Sequence, residues 1–129
     1  MSSMVYKLII FFNQNIIQTK QFINSKMSIE HINSLQQFKT IIQTEKTVIV
    51  DFFASWCGPC RMISPYFEEV AKNNPQIKFI KVNVDEASDI CREYKITSMP
   101  TFMKFVNGSF VSSFSGSSKD QLNKMVSSK

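Results

Sequence analysis

Apolar residues along the chain follow two spacings, and these spacings predict most of its strands and helices. Residues 47–53 and 77–84 are largely apolar runs of the length that is typical of buried strands. On either side of residues 47–53, apolar residues recur every three or four positions, which predicts helices. The first helix has Leu35, Phe38, Ile41 and Ile42 on its inward face, and the second has Met62, Ile63, Tyr66, Phe67 and Val70.

Short local signals mark where helices and turns begin. Ser34 and Ser118 each start a capping-box pattern, with Gln three residues later, so each is predicted to begin a helix. Pro59 suits the first turn of the second helix, where its missing N–H costs nothing, and Pro65 should kink that helix. Asn107-Gly108, between two apolar runs, is the strongest short signal of a β-hairpin.

The order of these elements predicts the architecture. A short edge strand over residues 28–32 precedes the first helix, and a short helix over residues 85–94 follows the second central strand. From the first central strand onward the order is βαβαββα, which predicts a mixed sheet covered by helices on both faces. We therefore expect one α/β domain.

Composition and charge exclude several classes of protein. The chain has 129 residues, 43% of them apolar, which suits one domain with a buried core. Its net charge is +5, but residues 27–129 carry twelve basic and ten acidic side chains, a net charge of only +2. Because no basic run is interleaved with aromatic residues, nucleic-acid binding has no support. Three cysteines are an odd count, which does not fit a disulfide scaffold and favours a reducing compartment.

Residues 1–26 differ in composition from the rest of the chain. They contain no acidic residue and include the apolar cluster Leu8-Ile9-Ile10-Phe11-Phe12. This cluster is too short to span a bilayer, and the polar residues after it do not fit a secretory signal. The lack of acids fits a mitochondrial transit peptide, whereas the lack of Arg does not. We expect a poorly ordered extension before a domain over residues 27–129, with an organellar address or an upstream start codon as alternatives.

One pentapeptide, Trp56-Cys57-Gly58-Pro59-Cys60, links the first central strand to the second helix. Its two cysteines could form a redox pair, provide half of a zinc site or be inert core residues. A zinc site needs four ligands, and outside the pentapeptide the chain offers only Cys91 and His31, which stand far apart. The Gly-Pro turn argues against inert cysteines, because turns expose side chains. Redox chemistry without a bound metal is therefore favoured.

The segment from Asp51 to Met62 resembles the active-site segment of thioredoxins. The resemblance covers residues 28 to 126 and continues at Pro65, Asp85, Met99-Pro100-Thr101-Phe102, Asn107-Gly108 and Gly116. It implies the thioredoxin fold, an α/β architecture in which helices flank both faces of a central mixed sheet. It also implies a protein-disulfide reductase that needs no cofactor beyond its own disulfide and receives electrons from a separate thioredoxin reductase.

The position of Cys57 just before a helix predicts that it is the attacking thiolate. Lowering a thiol pKa from about 8.5 to about 7 raises the ionised fraction at pH 7 about 16-fold. The accompanying loss of nucleophilicity leaves a net gain of only about three- to fourfold. Placing Cys60 beside the mixed disulfide must therefore contribute more, because it makes the second step intramolecular. We expect Cys57 to attack and Cys60 to resolve, with Gly58 and Pro59 tuning the pair.

Asp51 is a carboxylate within an apolar strand, where it is unfavourable unless it is protonated, partnered or tipped toward solvent at the strand end. Its position matches the buried Asp of thioredoxins, and the resemblance implies that it accepts the proton of Cys60. Lys81, in the neighbouring predicted strand, could be its partner or an ordinary surface lysine. We expect Asp51→Asn to slow exchange and to leave the fold intact.

The resemblance also implies a shallow substrate groove. Pro100 matches the cis-proline that faces the cysteine pair in thioredoxins, and the Met99 backbone would pair with an extended substrate strand. Trp56 and Gly116 would line the same groove. By contrast, Cys91 and the methionines look like core residues, and His31 looks structural.

The cysteine pair and the resemblance together imply a thiol–disulfide oxidoreductase that contributes to electron transport and to redox homeostasis, and we expect it in the cytoplasm. Its expected partners are thioredoxin reductase and disulfide-containing proteins, and we expect a monomer that neither binds nucleic acid nor inserts stably into membranes. Two alternatives stay open. One is an organelle-targeted, mitochondrial thioredoxin with the same chemistry, and the other is a binding or scaffolding subunit that keeps the fold while its redox activity is incidental.

Overall fold

A computed structural model of the chain describes residues 29–129, so the extension expected over residues 1–26 lies outside the described residues. Strands and helices alternate through most of this range, as the apolar spacings predict. In chain order the elements are β1 (Glu30–His31), α1 (Leu35–Thr44), β2 (Thr47–Phe53), α2 (Gly58–Asn73), β3 (Lys78–Asn83), α3 (Ser88–Glu93), β4 (Thr101–Val106), β5 (Ser109–Ser115) and α4 (Lys119–Ser127).

The strands form one mixed sheet in the order β1-β3-β2-β4-β5. The central strand β2 runs parallel to β3 and antiparallel to β4, and β5 returns beside β4 as the second arm of the hairpin. The turn of this hairpin places Asn107 at φ 51° and Gly108 at φ 83°, the positive values that a type I′ turn requires. The predicted mixed sheet and hairpin are confirmed.

Apolar residues on the two faces of the sheet form two separate cores. On one face, Val48, Val50 and Phe52 of β2 pack against α1 and α3. On the other face, Ile49 packs against apolar residues of α2 and α4. Because side chains of a strand alternate between its faces, Asp51 points to the same face as Ile49, beneath α2.

The predicted helix starts agree with the structure. The side chains of Ser34 and Ser118 accept hydrogen bonds from backbone N–H groups in the first turns of α1 and α4. Helix α2 begins directly after Cys57, carries Pro59 in its first turn and continues through Pro65. The cysteine pair is thereby held at the carboxyl end of β2 and the amino end of α2.

The edge strand predicted over residues 28–32 is only two residues long, Glu30–His31, and three further details differ from the prediction. Met62 was predicted to face inward, but its side chain is 75% exposed. It lies about 100° around the helix from Ile63, at the margin of the buried stripe. The second central strand and the helix after it are shorter than predicted, because the Asn83 side chain accepts a hydrogen bond from the backbone N–H of Asp85 and starts a turn. Within residues 29–129, no helix is long and apolar enough to cross a bilayer.

Candidate active site

Cys57 and Cys60 form a disulfide at the junction of β2 and α2. Their Cα atoms are 5.3 Å apart, within the range that a disulfide can bridge. Cys57 is the N-cap residue of α2, and its sulfur accepts a hydrogen bond from the backbone N–H of Cys60 at 3.3 Å. The turn is closed on the other side by the backbone N–H of Cys57, which donates to the carbonyl oxygen of Ala54.

The surroundings of the cysteine pair favour a thiolate at Cys57 over one at Cys60. Both residues are buried together with Ala54, with Phe53 and Met99 packed beside them. A thiolate on Cys57 would keep the hydrogen bond from the N–H group at the start of α2 and would lie at the positive end of the helix dipole. No acidic residue in the first turn of α2 opposes this effect.

The loop before β4 lies directly against the Cys57 sulfur. The Cys57 Sγ atom is 3.6 Å from the carbonyl oxygen of Met99, and the Met99–Pro100 peptide bond is cis, as the resemblance implies. The backbone N–H of Gly116 donates to the carbonyl oxygen of Pro100 at 2.9 Å. Met99 therefore lies against the cysteine pair, and Gly116 is joined by its backbone to the neighbouring Pro100.

Trp56 lies on the surface next to the disulfide, with 65% of its side chain exposed. Its indole Nε1–H donates to the Asp85 carboxylate at 3.0 Å, which holds the ring in place. The contact between Trp56 and Asp85 was not predicted, although the predicted order of strands indicates it. Because β2 and β3 are parallel, the residues that follow both strands meet at the same edge of the sheet, and Asp85 follows β3 closely.

Asp51 is 1% exposed, and neither of its carboxylate oxygens has a hydrogen-bond partner among the described residues. Burial raises the pKa of this carboxyl to about 7, while the positive charge of Lys81 pulls it down. A carboxyl with a pKa near 7 can hold or release a proton at neutral pH. This is the property that the proton acceptor expected for Cys60 needs.

Lys81 lies opposite Asp51 in the register of β3 with β2, yet its ammonium group is directed to α2. The Nζ atom donates to the Ser64 hydroxyl, lies 3.8 Å from a Glu68 carboxylate oxygen and sits 5.4 Å from the centre of the Phe53 ring. No ion pair joins Lys81 to Asp51 within residues 29–129. Lys81 therefore acts on Asp51 through its charge without contacting it, and sequence reasoning missed Ser64 and Glu68.

The other candidate residues lie away from the disulfide. Cys91 is a free, half-buried thiol on α3 that packs against the core, and burial raises its pKa. His31 is exposed on β1, and its ring packs edge-on against Phe53. In the part of the chain that the structure describes, no cluster of three or more His, Cys, Asp or Glu side chains is arranged to hold a metal ion.

Comparison with known proteins assigns this arrangement to a family. The family model described as thioredoxin matches residues 28–128. Thioredoxin 1 of Plasmodium falciparum is 44% identical over 95 residues, which cover 74% of this chain and 91% of that protein. Thioredoxin-2 of Pyricularia oryzae is 40% identical over 103 residues, which cover 80% of this chain but only 60% of that protein.

Two further matches extend the comparison. The mitochondrial thioredoxin-3 of Saccharomyces cerevisiae is 32% identical over 110 residues, which cover 85% of this chain and 87% of that protein. A solved structure of the Plasmodium falciparum thioredoxin superposes with a TM-score of 0.74 at 43% identity, covering 76% of this chain and 96% of the other. The predicted thioredoxin fold is thereby confirmed.

Proposed function

The chain belongs to the thioredoxin family, and we propose that it reduces protein disulfides by dithiol–disulfide exchange through Cys57 and Cys60. Members of this family are protein-disulfide reductases that act through a cysteine disulfide and use no cofactor. The observation that carries the proposal is the Cys57–Cys60 disulfide at the amino end of α2, held against the Met99–Pro100 loop. Such a disulfide is the oxidised product of the reaction.

The reaction starts from the reduced dithiol. The Cys57 thiolate attacks one sulfur of a substrate disulfide, so that a Cys57–substrate mixed disulfide forms and the other substrate sulfur leaves as a thiolate, which takes up a proton. Cys60 then loses its proton and attacks the Cys57 sulfur. This second step breaks the mixed disulfide, releases the second substrate thiol and forms the Cys57–Cys60 disulfide. Two electrons pass to the substrate, and thioredoxin reductase returns the protein to the dithiol.

Asp51 is the proposed acceptor of the Cys60 proton. Its carboxyl is buried beneath α2, has no competing hydrogen bond among residues 29–129 and has a pKa raised to about 7 by burial. At this pKa the ionised form is populated at neutral pH and is a stronger base than an ordinary aspartate. Asp51→Asn keeps the shape and removes the base. We expect the variant to reduce disulfides more slowly and to lose the rise in rate between about pH 6 and 8 that ionisation of Asp51 produces.

The proposed substrate groove lies between Trp56 and the Met99–Pro100 loop. An extended substrate segment would place its disulfide over Cys57, and the backbone of Met99 would hydrogen-bond to it as an added strand. Backbone pairing is independent of side chains, so many protein disulfides would fit. Preference among substrates would come from the exposed ring of Trp56 and from Gly116 on the far side.

Reduction of insulin disulfides, with a chemical reductant to regenerate the dithiol, tests the function. The wild-type protein should accelerate insulin precipitation, and Cys57→Ser should abolish the acceleration. Cys91→Ser is the matched control, because it removes a thiol outside the site and should retain wild-type activity. A wild-type protein that is no faster than the reductant alone would instead support the binding or scaffolding alternative.

We also propose that the protein acts as a cytoplasmic monomer in redox homeostasis and electron transport. The free thiol of Cys91 and the odd cysteine count support a reducing compartment. The mitochondrial alternative is supported by the lack of acidic residues in residues 1–26 and by the similarity to a mitochondrial thioredoxin of yeast. N-terminal sequencing of the native protein from fractionated cells separates the two, since import would remove residues within 1–26, and analytical ultracentrifugation tests the monomer.

A further inference from the structure

The buried pair of Asp51 and Lys81 has an unexpected geometry. The two residues lie opposite each other in adjacent strands, both are buried, and both carboxylate oxygens of Asp51 lack partners among the described residues. An unpartnered buried carboxylate attracts a nearby cation strongly, because the surroundings screen charge poorly. Even so, the Lys81 ammonium contacts other groups. Other polar groups must therefore compete with Asp51 for the Lys81 ammonium.

The competing groups come from one face of α2. Cys60, Ser64 and Glu68 are spaced four residues apart, so they form a row along the side of the helix that faces the sheet. The Ser64 hydroxyl accepts a hydrogen bond from Lys81 Nζ, and a Glu68 oxygen lies 3.8 Å from the same atom. The Glu68 side chain is 45% exposed, so solvent weakens its pull on the ammonium. Ser64 is the only direct hydrogen-bond partner of this ammonium within residues 29–129.

We propose that Ser64 is a positioning residue that holds the Lys81 ammonium on α2 and thereby keeps it out of direct contact with Asp51. The positioning of Lys81 by Ser64 is independent of the proposed function, whereas its effect on disulfide exchange rests on that function. Without the hydroxyl, the ammonium can pair with either of two carboxylates, Glu68 or Asp51. Asp51 is the buried and unpartnered one, so the ammonium turns to it.

The consequence for the reaction follows from the acid–base properties of Asp51. A direct ion pair favours the ionised carboxylate and makes it a weaker base, so that it accepts the Cys60 proton less readily. By holding Lys81 at a distance, Ser64 keeps Asp51 a base that works near neutral pH. The Ser64 hydroxyl acts through its hydrogen bond with Lys81 and takes no part in the exchange between the sulfurs.

The charged groups around Asp51 are few, which makes the inference testable. Lys81 of β3 and the apolar Phe102 of β4 lie opposite it in the register, and Glu68 of α2 lies 3.8 Å from the Lys81 ammonium. On β1, His31 lies opposite Lys81 in the register. In the disulfide form the two cysteines of the site do not titrate. A titration of oxidised protein therefore reports Asp51 and these neighbours alone.

The experiment follows the Asp51 carboxyl carbon by NMR in oxidised, ¹³C-labelled full-length protein between pH 4 and 10. The wild-type midpoint should lie at about 7. Ser64→Ala should lower the midpoint by about one unit or more, as a direct opposite charge does. At pH 6 such a shift raises the ionised fraction from about one tenth to about one half. Lys81→Met should move the midpoint in the opposite direction, because it removes the positive charge.

A matched pair of variants isolates the hydroxyl. Ser64→Thr keeps it and should titrate like the wild type, whereas Ser64→Val has the same shape as Thr without it and should titrate like Ser64→Ala. An unchanged or higher midpoint in both Ser64→Ala and Ser64→Val overturns the proposal. The same variants in the insulin assay should show a rate profile displaced to lower pH. If the protein reduced no insulin at all, the proposed function would fail while the NMR titration would still decide the role of Ser64.

Discussion

Burying Asp51 should make the protein less stable as the pH rises, and replacing this one residue should remove the effect. The folded state raises the pKa of the carboxyl from 3.8 to about 7, so between these values the folded chain holds a proton that the unfolded chain has released. Stability falls with pH wherever the folded state binds more protons. The contribution of the protonated carboxyl is therefore complete below about pH 4 and is lost as the pH rises through about 7.

The magnitude follows from the size of the shift. A difference of about three pKa units corresponds to about 4 kcal/mol, of which about 3 kcal/mol is lost between pH 5 and pH 8. Because the side chain is 1% exposed, solvent screening does not reduce this figure. Asp51→Asn carries no ionisable group at this position. The wild type should therefore lose about 3 kcal/mol more in the free energy of unfolding than the variant between pH 5 and pH 8.

Urea unfolding of the oxidised proteins, followed by far-UV circular dichroism at pH 5 and pH 8, measures this difference. The oxidised form is chosen because its active-site cysteines do not titrate. Glu69→Gln, which changes an exposed acid on α2, is the control and should follow the wild type at both values. If the difference between Asp51→Asn and the wild type were the same at pH 5 and pH 8, the carboxyl would not have the raised pKa on which the proposed proton transfer depends.

Three further predictions concern other parts of the domain. Gly116 has φ 105°, so Gly116→Ala should lower stability by about 1–3 kcal/mol in urea unfolding through backbone strain alone, and a variant as stable as the wild type would contradict this. Lys104→Met removes the ammonium that donates to carbonyl oxygens at the end of α4, so amide hydrogen exchange in α4 should be faster than in the wild type, while exchange in α1 stays the same. Unchanged exchange in α4 would refute the capping role. Trp56→Ala should raise KM for insulin more than it lowers kcat, whereas an effect on kcat alone would argue against a groove residue.

The architecture could be predicted because local signals and apolar spacing agree along most of the chain. Strand β2 and helix α2 have unambiguous spacings, and the capping serines and the Asn107-Gly108 turn mark element ends through short-range contacts. The prediction for Met62 was wrong because apolar spacing does not settle which residues at the edge of the stripe are buried. A residue at the margin of an apolar stripe has the same type as its buried neighbours, and only the packing of α2 on the sheet decides which side is covered.

The contacts of buried charges could not be predicted in the same way. Strand register decides that Lys81 lies opposite Asp51, and the length of the lysine side chain leaves it several partners, so its attachment to Ser64 depends on how α2 sits over the sheet. The sequence carries the same signal at Lys104. Like Asp51 it is a charged residue in an apolar strand, and it is buried with its ammonium on the end of α4, where burial lowers its pKa.

The most direct test of the whole account is a trapping experiment on the two cysteines. Reduced Cys60→Ser protein, mixed with insulin, should accumulate a mixed disulfide through Cys57 that mass spectrometry detects, because the attack proceeds and the resolving thiol is absent. Reduced Cys57→Ser protein should accumulate none. A mixed disulfide formed by Cys57→Ser but not by Cys60→Ser, or by neither variant, would contradict the assignment of Cys57 as the attacking sulfur and Cys60 as the resolving one.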